Sequence, residues 1–184
     1  MTVFTYDPPE RFVAGTVGMP GQRAFFLQAR DGDRLTSVGL EKQQLTLLAR
    51  RLDQMLDEVI RTSAGAAPVP RTVPSGAVDL APLEQPVVEE FRVGTLTLGW
   101  DPEDDRAVVE AGSHSADADA EPEGTLLVRL TGAQARSFTR RALAVVAAGR
   151  PPCPLCGLPL DTTGHICPRQ NGRPRSAWTQ PDQP

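Results

Sequence analysis

The residues of this sequence best suited to chemistry lie together near its C-terminal end. All three cysteines and one of the two histidines follow the order Cys153-x2-Cys156-x8-His165-x-Cys167, within fifteen residues. Thiolate and imidazole ligands in a set of four match tetrahedral Zn²⁺. The Cys-x2-Cys pair can direct two sulfurs at one ion, and the segment that follows is long enough to run out and back. The spacing predicts one zinc ion per chain, held by Cys153, Cys156, His165 and Cys167.

This zinc is predicted to be structural. A closed set of four protein ligands leaves no position for a reacting water, and the segment has too few large apolar residues to hold a fold without metal. Two other interpretations stay open. Cys153 and Cys156 could form a redox dithiol, although no thioredoxin-like βαβ pattern surrounds them. Each cysteine could also be a buried apolar thiol, which explains neither the spacing nor the neighbouring Pro and Gly residues.

Two arginine pairs form a second candidate site. Arg50 and Arg51 lie on one predicted helix, and Arg140 and Arg141 lie at matching positions on another. Guanidinium groups bind oxyanions well, so the pairs could line an anion site. The alternative is that they face solvent or bind nearby acidic residues.

No catalytic residue is predicted. The sequence contains no GxSxG, P-loop or dinucleotide-binding motif. His114 lies in an acidic loop without an adjacent nucleophile and is interpreted as a solvated residue. The acidic run at 101–105 lacks the spacing of an EF-hand and falls where a hairpin is expected to turn.

The elements that carry these residues are expected to be strands and helices in a repeated order. Short apolar segments bounded by turn residues predict strands, and apolar residues at steps of three and four predict helices. Thr131 and Gln134 have the spacing of a capping box at the start of the second helix. The predicted strands cover residues 11–17, 23–30, 34–40, 91–100, 106–112 and 124–130, and the predicted helices cover 41–61 and 131–148.

The two halves of this pattern also share residues. The matches at a constant offset of 90 are Val38, Leu40, Gln44, Arg50 and Arg51 with Val128, Leu130, Gln134, Arg140 and Arg141. The predicted fold is therefore α+β: duplicated strand–strand–strand–helix units with pseudo-twofold symmetry form one antiparallel sheet with both helices on one face. The alternative is coincidence between two ordinary amphipathic helices.

The chain is expected to divide into a body, a zinc knuckle and a tail. The body covers 1–149, with repeats at 11–61 and 90–149 and a flexible connector at 62–86 that contains five prolines. The zinc-binding module covers 150–175, and a disordered tail covers 176–184.

Charge and hydropathy restrict the function classes. The net charge of −4 divides into −6 for residues 1–149 and +2 for residues 150–184. An acidic body argues against binding to nucleic acid, which requires clustered Lys and Arg. No apolar run approaches the ~18 residues of a membrane span, and the first residues do not resemble a signal peptide. Together with the metal-type cysteine spacing, these features predict a cytoplasmic protein that does not enter a membrane.

Several motifs resemble an uncharacterised actinobacterial family, a domain of unknown function. They are "YDPPERFVAGTVG", "GQRAFFLQAR", "LEKQQ", "EFRVGT" and "GRPPCPLCGLPLD" with "GHICPR". The four predicted ligands match the family's pattern. The resemblance implies no established activity. It implies gene neighbours that encode a histidine-phosphatase-like phosphomutase and a protein similar to phosphatidylinositol kinases.

The leading functional hypothesis is a non-enzymatic, zinc-containing accessory or adaptor protein whose partner is another protein. The products of the neighbouring phosphatase-like and kinase-like genes are candidate partners. One alternative is an enzyme or sensor subunit that acts on a phosphorylated small molecule and uses the paired arginines. Nucleic-acid binding through the zinc knuckle is the less favoured alternative.

Overall fold

The computed structural model describes residues 2–19, 21–73, 76, 78–114, 122–149, 153–156, 167 and 169. The chain divides into two compact units, Met1–Ala148 and Gly149–Pro184. Within its described residues, the first unit is a mixture of strands and helices, as predicted. Its elements are β1 (Thr2–Tyr6), β2 (Arg11–Val17), β3 (Ala24–Asp31), β4 (Arg34–Leu40), α1 (Lys42–Thr62), β5 (Glu89–Asp101), β6 (Arg106–Ser113), β7 (Gly124–Thr131) and α2 (Gly132–Ala147).

The strands of the first unit form one seven-stranded sheet in the order β1-β7-β6-β5-β4-β3-β2. Four neighbouring pairs are antiparallel, but β4 with β5 and β1 with β7 are parallel. The prediction of a wholly antiparallel sheet was therefore wrong. The chain returns from β4 to β5 through α1, and a strand–helix–strand crossover restores the original direction. Strand β1 was not predicted.

The two halves of the first unit share one order of elements, and their predicted pseudo-twofold symmetry stays a prediction. The order strand–strand–strand–helix does occur twice, from β2 to α1 and from β5 to α2. β4, the third strand of the first half, pairs in parallel with β5, the first strand of the second half. Each helix packs against the first strand of the other half, α1 on β5 and α2 on β2.

The sheet curls because a short loop joins its two edge strands. β1 and β2 lie six strand spacings apart, which would be about 29 Å in a flat sheet. Only residues 7–10 join them, and an extended chain from Tyr6 to Arg11 spans at most about 18 Å. As a result Tyr6 reaches across the curl, and its hydroxyl lies 2.8 Å from Oγ1 of Thr36 on β4.

Both helices pack into the single core formed by the inward residues of the sheet. Leu45 and Leu52 of α1 and Phe138 of α2 join the same apolar cluster as Val38 and Val128, at 2% exposure or less. Each such burial contributes about 1.5–3 kcal/mol. The ring of Phe138 stacks on Phe12 of β2 with centroids 4.7 Å apart.

Both helices begin with a capping box. The amide of Gln134 donates to the Thr131 hydroxyl (3.2 Å), and Oε1 of Gln134 accepts from the Thr131 amide (3.0 Å), which confirms the predicted box. Glu41 and Gln44 form the same reciprocal arrangement at α1. These bonds satisfy amide groups that the first turn of a helix otherwise leaves unpaired.

Part of the connector covers the outer face of β2 and β3. Leu83 is 6% exposed and packs with Val13 and Phe26. Gly15 makes this possible, since a Cβ at that position would lie 2.5 Å from Cγ of Leu83. The side-chain amide of Gln28 donates to the carbonyl of Glu84 (3.1 Å) and accepts from its N–H (2.8 Å), as a neighbouring strand would. The predicted flexibility of residues 62–86 stays a prediction.

Candidate metal centre

Three of the four predicted metal ligands lie together in the second unit. The Sγ atoms of Cys153, Cys156 and Cys167 all lie within 4.8 Å of one another. Those of Cys153 and Cys167 are 3.9 Å apart. Two sulfurs at tetrahedral positions around one zinc, with bonds of about 2.3 Å, are about 3.8 Å apart. The observed separation matches the edge of such a tetrahedron and exceeds the ~2.05 Å of a disulfide bond.

The local chain favours a thiolate at the first ligand. Residues 154–156 form a turn, and Cys153 is 6% exposed. Burial raises the pKa of the Cys153 thiol, but the N–H groups of Cys156 and Leu155 and the thiols of Cys156 and Cys167 lower it. The net result is a pKa below the ordinary value. The deprotonated form is the one that binds metal.

A hydrogen bond links the two ends of the motif. Nη1 of Arg169 donates to the carbonyl of Leu155 at 3.2 Å. The residue two positions after Cys167 is therefore held against the turn that carries Cys153 and Cys156. This contact holds the two ends of the segment together, as a shared metal ion would.

The fourth predicted ligand, His165, lies outside the described residues. The three thiols could hold a metal ion, and soft sulfur ligands suit Zn²⁺, Cu⁺ or iron–sulfur chemistry.

The four arginines of the second candidate site lie in different surroundings. Arg50 and Arg51 are exposed on α1, and Arg140 is exposed on α2. Arg141 is 5% exposed, and its Nε donates to the carbonyl of Ala14 at 2.7 Å. Anion binding by these residues stays a prediction.

Arg141 also forms hydrogen bonds to the connector, outside the sheet. Its Nη2 donates to the carbonyl of Ala81 (2.7 Å), and its Nη1 contacts the carbonyl of Asp79 and lies 3.2 Å from Oδ1 of the same residue. Asp79 also binds Arg11. Arg141 therefore ties α2 to the edge strand β2 and to the connector.

The sequence analysis did not single out Arg136, which is 5% exposed. Its Nη1 lies 2.6 Å from Oδ1 of Asp53, and its Nη2 lies 2.8 Å from Oδ1 of Asp57. The sequence contains a spacing pattern that could have indicated this contact. Asp53 and Asp57 are four residues apart on one helix, and Arg136 and Arg140 are four apart on the other, so each pair lies on one helix face.

The acidic run at 101–105 is the turn of the β5–β6 hairpin, as expected. Oδ1 of Asp101 accepts from the amide of Glu103 at 2.9 Å. The carboxylates of Asp101 and Asp104 lie 2.8 and 2.7 Å from the Arg129 guanidinium. His114 is exposed at the end of β6, and its amide donates to the carbonyl of Arg92. These contacts stabilise the sheet.

The model of one protein family matches residues 4–167, described as "Protein of unknown function (DUF3090)". The chain belongs to this family. The match spans both units and extends to Cys167, so the cysteine cluster falls within the family region. No curated protein and no solved structure matches the chain.

Among the residues that the structure describes, neither helix is long and apolar enough to cross a membrane.

Proposed function

We propose that this member of the DUF3090 family is a zinc-containing accessory protein that binds another protein and has no catalytic activity of its own. The observation that carries the proposal is the convergence of three thiols within 4.8 Å. A short segment with few apolar residues gains order when a metal links its two ends. An ordered segment can present backbone and side-chain groups to a partner without losing conformational entropy at the moment of binding.

In this proposal His165 completes a Cys3His site. His165 and Cys167 are two positions apart, so an extended chain can direct both side chains to the same side. When bound, Zn²⁺ supplies a structural cross-link in a closed tetrahedral site. The lowered pKa of Cys153 favours the anionic ligand that such a site needs.

The proposed partner is a protein in the cytoplasm. The resemblance to actinobacterial family members points to the products of neighbouring phosphatase-like and kinase-like genes. Nucleic acid is a less suitable partner, since residues 1–149 carry a net charge of −6.

We also infer that the first unit arose by duplication. Gln44 and Gln134, which match at the offset of 90, both complete a capping box. Each then donates from Nε2 to a backbone carbonyl: Gln44 to Val93 (3.0 Å), and Gln134 to Pro9 (2.7 Å). Chance similarity between two amphipathic helices does not require this shared detail.

Two histidine variants test the metal site with a matched control. Protein purified without chelators should contain one zinc per chain by elemental analysis. The variant His165→Asn should lose most of the zinc, whereas His114→Asn, which changes the other histidine, should retain it. A wild-type zinc content near zero would contradict the proposal, and so would equal zinc contents in the two variants.

The structural role of the zinc can be tested by hydrogen exchange. In Cys156→Ser, residues 150–175 should exchange faster and become sensitive to protease, while the helical circular dichroism signal of the first unit persists. The ligands lie within fifteen residues, so the metal closes only a short loop. Global unfolding of Cys156→Ser would contradict a purely local role.

The partner role needs purified candidates. The two neighbouring gene products should be mixed with zinc-loaded protein and with Cys156→Ser, and binding should be measured by calorimetry. The proposal expects binding to at least one product, with affinity lost in the variant. Binding to neither product, or equal binding with and without the metal, would contradict it.

A further inference from the structure

A cleft in the first unit lies between the two helices and the middle of the connector. Its volume is about 500 Å³, within the ~300–1,000 Å³ range of small-molecule sites. Helix α1 contributes carboxylates to the lining, and helix α2 and the connector contribute guanidinium groups. The charged lining residues are Asp53, Asp57, Arg71, Arg136 and Arg140.

One of the three arginines is already paired with two carboxylates, and this group of three carries a net charge of −1. Arg136 is buried and binds the carboxylates of both Asp53 and Asp57. The hydroxyl of Thr139 donates to the carbonyl of Arg136 (2.8 Å) and lies 3.4 Å from Oδ1 of Asp53. This network orders the side of the cleft formed by α1, which offers hydrogen-bond acceptors. The side chain of Asp57 is still 67% exposed there.

The other two arginines keep their charge available. Within the described part of the chain, neither Arg71 nor Arg140 has a hydrogen bond or an ion pair. They come from different segments, the connector and α2, yet they line the same cleft. Thr72 belongs to the same lining, and a threonine hydroxyl can donate to an oxyanion.

We propose that this cleft binds a phosphorylated, hydroxyl-rich small molecule of sugar phosphate type. The guanidinium groups of Arg71 and Arg140 can both bind the roughly −2 charge of a phosphomonoester at neutral pH, and the three arginines and two aspartates give the lining a net charge of +1. Arginine forms paired hydrogen bonds to phosphate oxygens. At the opposite wall, the exposed oxygens of Asp57 accept hydrogen bonds from sugar hydroxyls, which inorganic phosphate lacks. This site is independent of the metal proposed for the second unit.

Calorimetric titration of the full chain with glucose 6-phosphate, inorganic phosphate and glucose tests the proposal. Glucose 6-phosphate should bind with a dissociation constant below about 1 mM, more tightly than inorganic phosphate, and glucose should show no measurable binding. Absence of binding by glucose 6-phosphate would overturn the proposal. Equal affinity for inorganic phosphate and glucose 6-phosphate would overturn the assignment to sugar phosphates.

Two charge-neutralising variants distinguish binding in this cleft from a non-specific effect of the protein's net charge. Arg140→Gln should weaken glucose 6-phosphate binding by about tenfold or more. Arg50→Gln removes the same charge from an exposed position of α1 outside the lining, and should leave the affinity within about twofold. Equal weakening in both variants would overturn the cleft as the binding site. Zinc content should stay unchanged in both, so failure here is distinguishable from failure of the metal site.

Discussion

The two halves of the first unit have the same order of elements but use one matched residue differently. Arg51 on α1 and Arg141 on α2 occupy equivalent positions at the offset of 90. Arg51 is exposed, whereas Arg141 is buried and donates to the carbonyls of Ala14 and Ala81. Matched sequence positions therefore have unmatched surroundings.

The cause lies in the neighbours of each helix. Helix α1 packs against β5, which has a paired strand on each side, whereas α2 packs against β2, an edge strand. An edge strand presents carbonyl groups that no neighbouring strand satisfies. Arg141 donates a hydrogen bond to the carbonyl of Ala14, and its remaining donors bind the connector. The role of a repeated arginine is thus decided by whether its helix lies beside an open sheet edge.

The largest expected effect comes from removing Arg141. Arg141→Met should lower the free energy of unfolding by about 3 kcal/mol, because it leaves the buried carbonyl of Ala14 and the partly buried oxygens of Asp79 and Ala81 without their donor. Arg51→Met, at the matched position, should change it by less than about 0.5 kcal/mol. Urea unfolding measures both. Similar losses in the two variants would show that the two positions are equivalent after all.

A second comparison uses Gly15 on β2 and Gly94 on β5, the first strands of the two halves. A Cβ at Gly94 would lie 2.6 Å from the backbone Cα of His114, whereas at Gly15 the obstacle is the side chain of Leu83. Gly94→Ala should therefore cost about 2–3 kcal/mol, and Gly15→Ala about 1–2 kcal/mol, in thermal or urea unfolding.

A double variant checks the explanation for Gly15. With Leu83→Ala in place the obstacle is gone, so Gly15→Ala should add much less to the loss of stability than it does alone. Additive losses would show that Leu83 does not set the cost at Gly15.

The stability of the fold at low pH should depend on Asp79, which binds Arg11 and Arg141 beside α2. A hydrogen bond from Arg11 lowers the pKa of Asp79; burial opposes the shift, while the Ala81 amide and the charges of Arg11 and Arg141 add to the lowering. Ionised Asp79 therefore stabilises the fold above the unfolded-state pKa of about 3.9, and this stabilisation is lost as the pH falls through the lower folded-state pKa.

The variant Asp79→Asn tests this contribution. It should be less stable than wild type at neutral pH, and its stability should fall less steeply below about pH 4. Urea unfolding at a series of pH values measures both effects. Asp33→Asn, an exposed turn position, controls for the loss of one negative charge. An acid limb identical to that of wild type would contradict the assignment.

The smallest expected effect concerns the residues that behave alike. Gln44→Ala and Gln134→Ala should each destabilise the protein by about 1 kcal/mol, because each removes one side of a capping box and one bond to a carbonyl. The two losses should agree within about 0.5 kcal/mol. A much larger loss at one position would weaken the inference of duplication.

Local sequence information was sufficient for most of the elements. Helix periodicity and capping depend on residues three or four positions apart, so the apolar stripe of α1 and the Thr131–Gln134 box could be predicted. The hairpin turn at 101–105 follows from similarly local chemistry. The spacing of Cys153, Cys156 and Cys167 restricts the distances between the thiols, which could therefore be expected to meet.

Only the tertiary structure decided which distant segments meet. β1 pairs with β7 across more than a hundred residues, and the loop at 7–10 forces the curl that follows. Arg136 reaches Asp53 and Arg141 reaches Ala14 because helix packing places them there. No local sequence periodicity predicts such pairings, since they depend on the total apolar area that whole faces of the helices and the sheet bury. The sequence thus determined the elements and the thiol motif, whereas packing determined the environment of each arginine.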